Sequence, residues 1–320
     1  MTTRVFVCEY VTGGGLEDGP MAALLPEAEM MVAALVQDLT AVEGVQVTLA
    51  RDRRLPPPGV PVPLHRVSAD DPWWQWERAL AGHDALWPLA PETGGLLERL
   101  SRMAADAGVR LLGSAPDAVA VAASKSATAA ALAAVGVPVV PTFPPDAPPP
   151  AGHGWVLKPD DGAGAEGVRR ITIWSDVGDT AGMVVQSYVP GVPASLSVLC
   201  RDGRAWLLSA NAQRIEIDAG GAFAYRGSDV GALAGRAAEL RPLAEAVAAA
   251  LPGLWGYVGI DLVLTDAGPV VVEVNPRLTT SYVGLRRALR VNPVALVLAL
   301  LTGEPHPPDA GALPTVEVRV

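Results

Sequence analysis

Cysteine and histidine are scarce in this 320-residue chain, with two of the former and four of the latter. Cys8 and Cys200 stand far apart, so the sequence lacks the disulfide framework that holds small secreted domains together. His65, His83, His153 and His306 are scattered, and no HxH or CxxC spacing announces a zinc site. Long apolar runs are missing too. Residues 294–301 fall far short of the ~20 needed to span a bilayer, and the short run before Glu9 is no secretory leader. Only 18% of residues are charged, and acid prevails: 34 Asp and Glu against 24 Lys and Arg leave a net charge of −10. That balance argues against a general binder of nucleic acid or anionic membrane, because both are polyanions. A soluble cytoplasmic protein is expected.

The length suits about two domains, and 50% hydrophobic content suits a globular chain. Gly and Pro, 33 and 30 residues, follow no G-X-Y period, which excludes collagen. Short apolar strands at 4–8, 45–50, 84–88 and 109–112 alternate with helical patterns at 26–39 and 95–107, and a Gly-rich turn occupies 9–15. That alternation predicts βαβ units and a parallel, doubly wound sheet up to about residue 114. Residues 117–135 read as one Ala-rich helix, capped by Gly136 and stopped by Pro138. A Pro-dense connector follows at 141–150. Strands are predicted at 155–158, 168–173 and 183–186, with a flexible loop at 160–167. Antiparallel strands are predicted at 195–200, 205–211, 259–265 and 269–274, the last two forming a hairpin about Asp266-Ala267-Gly268. Helices are predicted at 240–251 and 293–301. The fold class is therefore α/β, continuing into α+β.

The C-terminal hairpin carries the strongest chemistry. Glu273 and Asn275 lie two apart on one strand and so share a face. Pairing across the turn can bring Asp261 to that face. Two carboxylates and an amide carbonyl are hard oxygen donors, suited to Mg²⁺, with Mn²⁺ as the alternative. Lys158 ends a strand and precedes a loop with Gly162, Gly164 and Gly167, whose backbone can approach phosphate oxygens closely. No GK[ST] follows, so this is not a Walker A loop. Lys125 would by itself be an exposed helix lysine. Gln186, Ser187 and Val189 form a short extended step that can offer backbone groups to a flat base.

Taken in order, these elements resemble the ATP-grasp superfamily over about residues 115–300, with the preceding region similar to that family's front α/β domain. The resemblance implies an ATP-dependent ligase that joins a carboxylate to an amine through an acyl phosphate. Lys125 and Lys158 would then contact the ATP phosphates and the loop from Gly162 to Gly167 would close over them. Gln186, Ser187 and Val189 would line the adenine site, and Asp261, Glu273 and Asn275 would hold the metal. Many members carry a glutamate where this chain has Gln186, and an acid where it has Pro193. Some carry a basic residue where Gly259 stands, and Arg277 is the substitute candidate for stabilising the reacting oxyanion.

Glu9-Tyr10 with Gly13 to Gly15, Pro91-Glu92-Thr93, Asn211-x-Gln213 and the run NPRLTTSY from Asn275 to Tyr282 are most similar to the tyramine–L-glutamate ligase branch, which serves methanofuran and methylofuran synthesis. That implies the γ-carboxyl of glutamate and tyramine or tyrosine as partners. Glu9, Tyr10, Asn211, Gln213, Arg214, Thr279, Thr280, Ser281 and Tyr282 are the substrate candidates, with Arg226, Arg286 and Arg287 as further cations for a free carboxylate. The expected division is 1–114, 115–186 as a lid, and 187–320. A homodimer is expected by fold analogy. Another amino-acid ligase and a non-catalytic nucleotide-binding regulator are the alternatives. A Rossmann dehydrogenase is disfavoured, because the first turn reads TGGG and Ala50, not an acid, ends the second strand.

Overall fold

The structure is a computed structural model that describes residues 2–15, 23–150, 152–162, 164–174 and 180–320. The first region contains β1 (Thr3–Glu9), α1 (Leu25–Thr40), β2 (Val45–Asp52), β3 (Leu64–Val67), α2 (Pro72–Leu80), β4 (Ala85–Leu89), α3 (Leu96–Asp106) and β5 (Arg110–Leu111). Its strands form a parallel sheet in the order β3-β2-β1-β4-β5. Both faces of β1 are buried, and the two-residue period sorts them. Val5 and Val7 meet Val32, Leu35, Val36 and Leu39 of α1. Phe6 and Cys8 face the other way, onto Trp76 and Leu80 of α2 and Leu97 and Leu100 of α3. The doubly wound expectation therefore holds, with β3 and α2 added to it. Asp71 caps α2 by accepting from the Trp74 amide at 3.1 Å, and Pro72 stands at its first turn.

Residues 117–135 do not form one helix. The chain breaks at Ser124 into α4 (Pro116–Ala123) and α5 (Lys125–Ala134). Ser124 is extended there (φ −90°, ψ 117°), and its hydroxyl accepts from the Ala127 amide at 3.1 Å. The break sets Lys125 at the first helical residue of α5, where it is buried. A small antiparallel sheet follows: β6 (Thr142–Phe143), β7 (Trp155–Pro159), β8 (Arg169–Ile171) and β9 (Met183–Ser187), in the order β6-β9-β7-β8. Trp155, Leu157, Ile171 and Val185 form its own small core.

The large antiparallel sheet contains β10 (Val192–Arg201), β11 (Arg204–Ile217), β12 (Phe223–Val230), β13 (Gly256–Thr265), β14 (Gly268–Asn275) and β15 (Val316–Arg319), in the order β14-β13-β10-β11-β12-β15. Helices α6 (Ala237–Ala250), α7 (Tyr282–Leu289) and α8 (Pro293–Ala299) accompany it. One face is apolar: Leu196 and Val198 of β10 and Val258 and Ile260 of β13 pack on Leu240, Leu243 and Val247 of α6. The opposite face turns Ser195, Gln213, Asp261 and Glu273 toward a cavity beneath the small sheet. The α1 face of the parallel sheet shares one continuous core with Leu199, Leu208, Tyr257, Tyr282 and Leu285. Among the described residues, no helix is long and apolar enough to cross a membrane.

Candidate active site

A cavity of about 460 Å³ opens between the small and large sheets. Its chemistry begins with the hairpin. Asp261 and Glu273 stand directly opposite each other in the β13–β14 ladder, and Asn275 stands opposite Gly259. The Asp261 carboxylate accepts from Asn275 Nδ2 at 3.1 Å and from Gln213 Nε2 at 2.8 Å. Burial and the neighbouring Glu273 charge push the Asp261 carboxyl well above its ordinary range. Burial works against Glu273 too, yet Lys158 and Lys125 hold it below its ordinary value. The two acids therefore share a region where a cation is the natural third party. The Asn275 amide donates to Asp261, which leaves its carbonyl oxygen as the donor to such an ion. This set of two carboxylates and one amide oxygen fits Mg²⁺. Among the described residues, no cluster of three or more His, Cys, Asp or Glu side chains is suited to holding a metal.

Lys158 projects from β7 on the face opposite Trp155 and Leu157, because residues alternate along the strand. Its ammonium is buried, and burial lowers its pKa from 10.5 to about 8, with Glu273 acting in the opposite sense. Lys125 is buried rather than exposed. Its Nζ donates to the carbonyl oxygens of Gly162 at 3.1 Å and Asp160 at 3.4 Å. Asp160 accepts in turn from the Ser124 and Ser126 hydroxyls at 2.7 and 3.1 Å and from the Ser126 amide at 2.8 Å. This knot ties the start of α5 to the Gly-rich loop. Gly164, Ala165 and Gly167 adopt positive φ values of 73°, 62° and 69°. Glycine tolerates that region freely and Ala165 does not. Ala163, which the sequence reading includes in the loop, lies outside the described residues. The Asp161 carboxylate accepts from the Gly94 amide at 2.9 Å, which holds the loop against the parallel-sheet region.

Gln186, Ser187 and Val189 line the same cavity, as does Pro193. Gln186 donates to Thr142 Oγ1 at 2.8 Å, so that side chain braces β6. Val140, Val156 and Leu262 add apolar wall. At Gly191 an added Cβ would fall 2.5 Å from the Leu264 carbonyl oxygen, an atom fixed beside the β10–β13 ladder. Gly191→Ala is therefore expected to destabilise the protein by about 1–3 kcal/mol. A urea titration should show a lower midpoint with an unchanged slope, and an unchanged midpoint would mean that this turn adjusts freely.

The substrate candidates divide. Gln213, Thr279, Thr280 and Ser281 reach the cavity. Glu9 does not: its buried carboxylate accepts from the amides of Val11 and Thr12 at 3.1 and 2.6 Å and closes its own turn. Tyr10 packs among Trp73 and Trp76 instead. Asn211 lies beneath the site, donating to the Ser195 and Ser197 hydroxyls at 3.3 and 3.2 Å. The Tyr282 hydroxyl donates to Asp38 at 2.8 Å in the shared core. The four arginines proposed for a free carboxylate lie elsewhere, each with a partner of its own. Arg214 pairs with Asp229, Arg226 with Glu216 and Arg286 with Asp38, while Arg287 donates to the Glu317 carbonyl oxygen. Arg277 does line the cavity, but its guanidinium is already paired with the buried Glu92 at 2.8 Å. Glu27 of α1 and Tyr225 of β12 were not anticipated, and both line the wall.

The ATP-grasp domain model matches residues 122–281, and the pre ATP-grasp 3 domain model matches residues 45–119. The chain is 27% identical to the tyramine–L-glutamate ligase of Methanocaldococcus jannaschii over 201 residues, 62% of this chain. That match spans 57% of the relative's length. A crystal structure of an Archaeoglobus fulgidus protein ascribed to the ATP-grasp superfamily superposes with a TM-score of 0.74 at 22% identity, covering 100% of both chains. The L-amino acid ligase of Bacillus licheniformis superposes with a TM-score of 0.65 at 17% identity, covering 99% of this chain and 78% of that one.

Proposed function

The chain belongs to the ATP-grasp family, and from that premise we propose that it is an ADP-forming carboxylate–amine ligase that joins the γ-carboxyl of L-glutamate to tyramine or a related aromatic amine. The observation that carries this reading is the meeting of Lys125, Lys158, Asp261, Glu273 and Asn275 around one cavity. The pairing of substrates leans on the Methanocaldococcus jannaschii relative's name alone.

In this reading the substrate carboxylate attacks the γ-phosphorus of ATP. A phosphorus–oxygen bond to the leaving ADP breaks as the acyl phosphate forms. Two buried lysines supply positive charge where the phosphates need it, so the task is positioning and electrostatics rather than covalent participation by the protein. A Mg²⁺ or Mn²⁺ ion held by Asp261, Glu273 and Asn275 would neutralise phosphate charge as a Lewis acid. The ammonium first loses a proton to solvent, the neutral amine nitrogen attacks the acyl carbon, the C–O bond to phosphate breaks, and phosphate departs with the second N–H proton. Arg277, held by Glu92, can aim an N–H at the developing oxyanion. The loop at Gly164 to Gly167 would keep water from the acyl phosphate.

Mixing the protein with ATP, Mg²⁺, L-glutamate and tyramine should release ADP and phosphate and yield γ-glutamyltyramine by mass. A product of another mass would reassign the substrates within the ligase class. Absence of ADP across a panel of amino acids and amines would overturn the ligase reading and favour a nucleotide-binding regulator.

A further inference from the structure

We propose that Glu27 is the counter-charge for a substrate ammonium group, a proposal that rests on the ligase reading above. The acids along the seam between the parallel sheet and the large sheet are nearly all satisfied by the protein itself. Glu9 is held by two backbone amides. Glu29 pairs with Arg51 at 2.7 Å, Asp38 with Arg286 at 2.8 Å, and Glu92 with Arg277 at 2.8 Å. Glu27 differs. It lines the cavity, and the neutral hydroxyl of Thr280 donates to it. Among the described residues no lysine, arginine or histidine forms an ion pair with it.

The surroundings define what such a carboxylate is for. Tyr225 lines the cavity beside Thr280, so the three side chains form one polar wall. That wall combines a negative charge, hydroxyls and an aromatic ring; Arg277, the cation whose charge reaches Glu27, is itself committed to Glu92 at 2.8 Å. The chemistry is opposite to that around Lys125 and Lys158, where the cavity is built to receive anions. A half-buried carboxylate in a ligand-sized cavity selects a cation that can donate hydrogen bonds. A primary ammonium meets both demands, and the ring can support an aromatic or cationic body beside it.

Two ammonium groups enter the proposed reaction: that of the incoming amine and the α-ammonium of the amino acid whose side-chain carboxylate is activated. Glu27→Gln keeps the hydrogen-bonding shape and removes the charge. It is expected to raise KM for the ammonium-bearing substrate about ten- to hundredfold, with KM for ATP unchanged. Hydroxylamine, uncharged at neutral pH, can replace the amine and be read as hydroxamate. If Glu27 serves the amine, hydroxamate formation from glutamate stays at the wild-type level in Glu27→Gln. If it serves the amino acid, hydroxamate formation falls with glutamate and recovers when glutarate replaces it. Either pattern supports the site when it accompanies the raised KM for the ammonium-bearing substrate, and Glu27→Asp should restore part of the lost affinity.

Equal KM values for every substrate in Glu27→Gln would overturn the proposal. So would a matching rise in KM for ATP, which would mark a packing role. A wild-type protein that forms no ADP with any pair would instead fail the ligase reading. Titration calorimetry of tyramine and of glutamate against both proteins would then still decide the ammonium site, which requires weaker binding of one of them to Glu27→Gln.

Discussion

Glu273→Ala is expected to cut ADP formation a hundredfold or more, and the loss should deepen as pH rises. The first part follows from position. Glu273 faces Asp261 across the ladder and supplies half of the carboxylate charge available to a divalent ion there. The second part follows from Lys158. Burial already brings that ammonium down to about 8, and Glu273 is the largest charge opposing the fall. Without it, Lys158 loses its proton at a lower pH, so a variant assayed at mildly alkaline pH lacks both an ion ligand and a phosphate-facing charge. Asp261, freed from its like-charged neighbour, should titrate lower than in the parent protein. A coupled ADP assay run from mildly acid to mildly alkaline pH tests this, with circular dichroism to confirm folding. Wild-type turnover in Glu273→Ala would remove the hairpin from the ion site altogether.

Lys158 gives the second large effect. The free enzyme holds this lysine charged below about 8 and loses the charge above it. Only the ammonium can offset phosphate, so kcat/KM for ATP should fall as pH rises through about 8, since that ratio reports the free enzyme. Lys158→Ala should cost on the order of 10²–10³ in turnover below about 8, where the parent protein carries the charge, and less above it. Lys158→Arg is the sharper instrument. A guanidinium stays protonated throughout the accessible range, so the descending limb should vanish even if the absolute rate drops. A limb that survives in Lys158→Arg would belong to another group.

Most of the framework was legible because it rests on short-range pattern. The alternation of Val5 and Val7 with Phe6 and Cys8 implies a strand covered on both faces, and the structure covers it on both. The meeting of Asp261 and Glu273 needed only a two-residue period and a tight turn. The single helix at 117–135 was the miss: the chain breaks at Ser124, although a serine three residues before Ala127 was a readable capping signal, while Lys125 lines the cavity as the resemblance implied. The strand β3 is short and half-buried at a sheet edge, and β12 carries Gly227 at a φ of 119°. Neither gives a clean alternation. The helix α2 was passed over although Asp71 and Pro72 were a readable start signal for it. The arginines were misplaced for a different reason: composition shows a cation and not the carboxylate that will claim it. Glu27 was beyond reach. On its own helix it reads as one more first-turn acid, favourable beside the helix dipole, and only packing against Thr280 gives it a cavity to face.

The continuous core beneath the parallel sheet and the large sheet also governs how the molecule comes apart. Val5, Leu35, Leu199, Tyr257 and Leu285 belong to one apolar mass, so those two regions must unfold together. The small sheet stands on four buried side chains of its own. Local opening there costs only that little burial, and amide exchange on β7 and β9 can proceed while the rest stays protected. Among the described residues, the small sheet is therefore expected to open as a unit of its own, ahead of a second unit formed by the two larger regions. A nucleotide seated between them would add the missing contacts and fuse the two units into one.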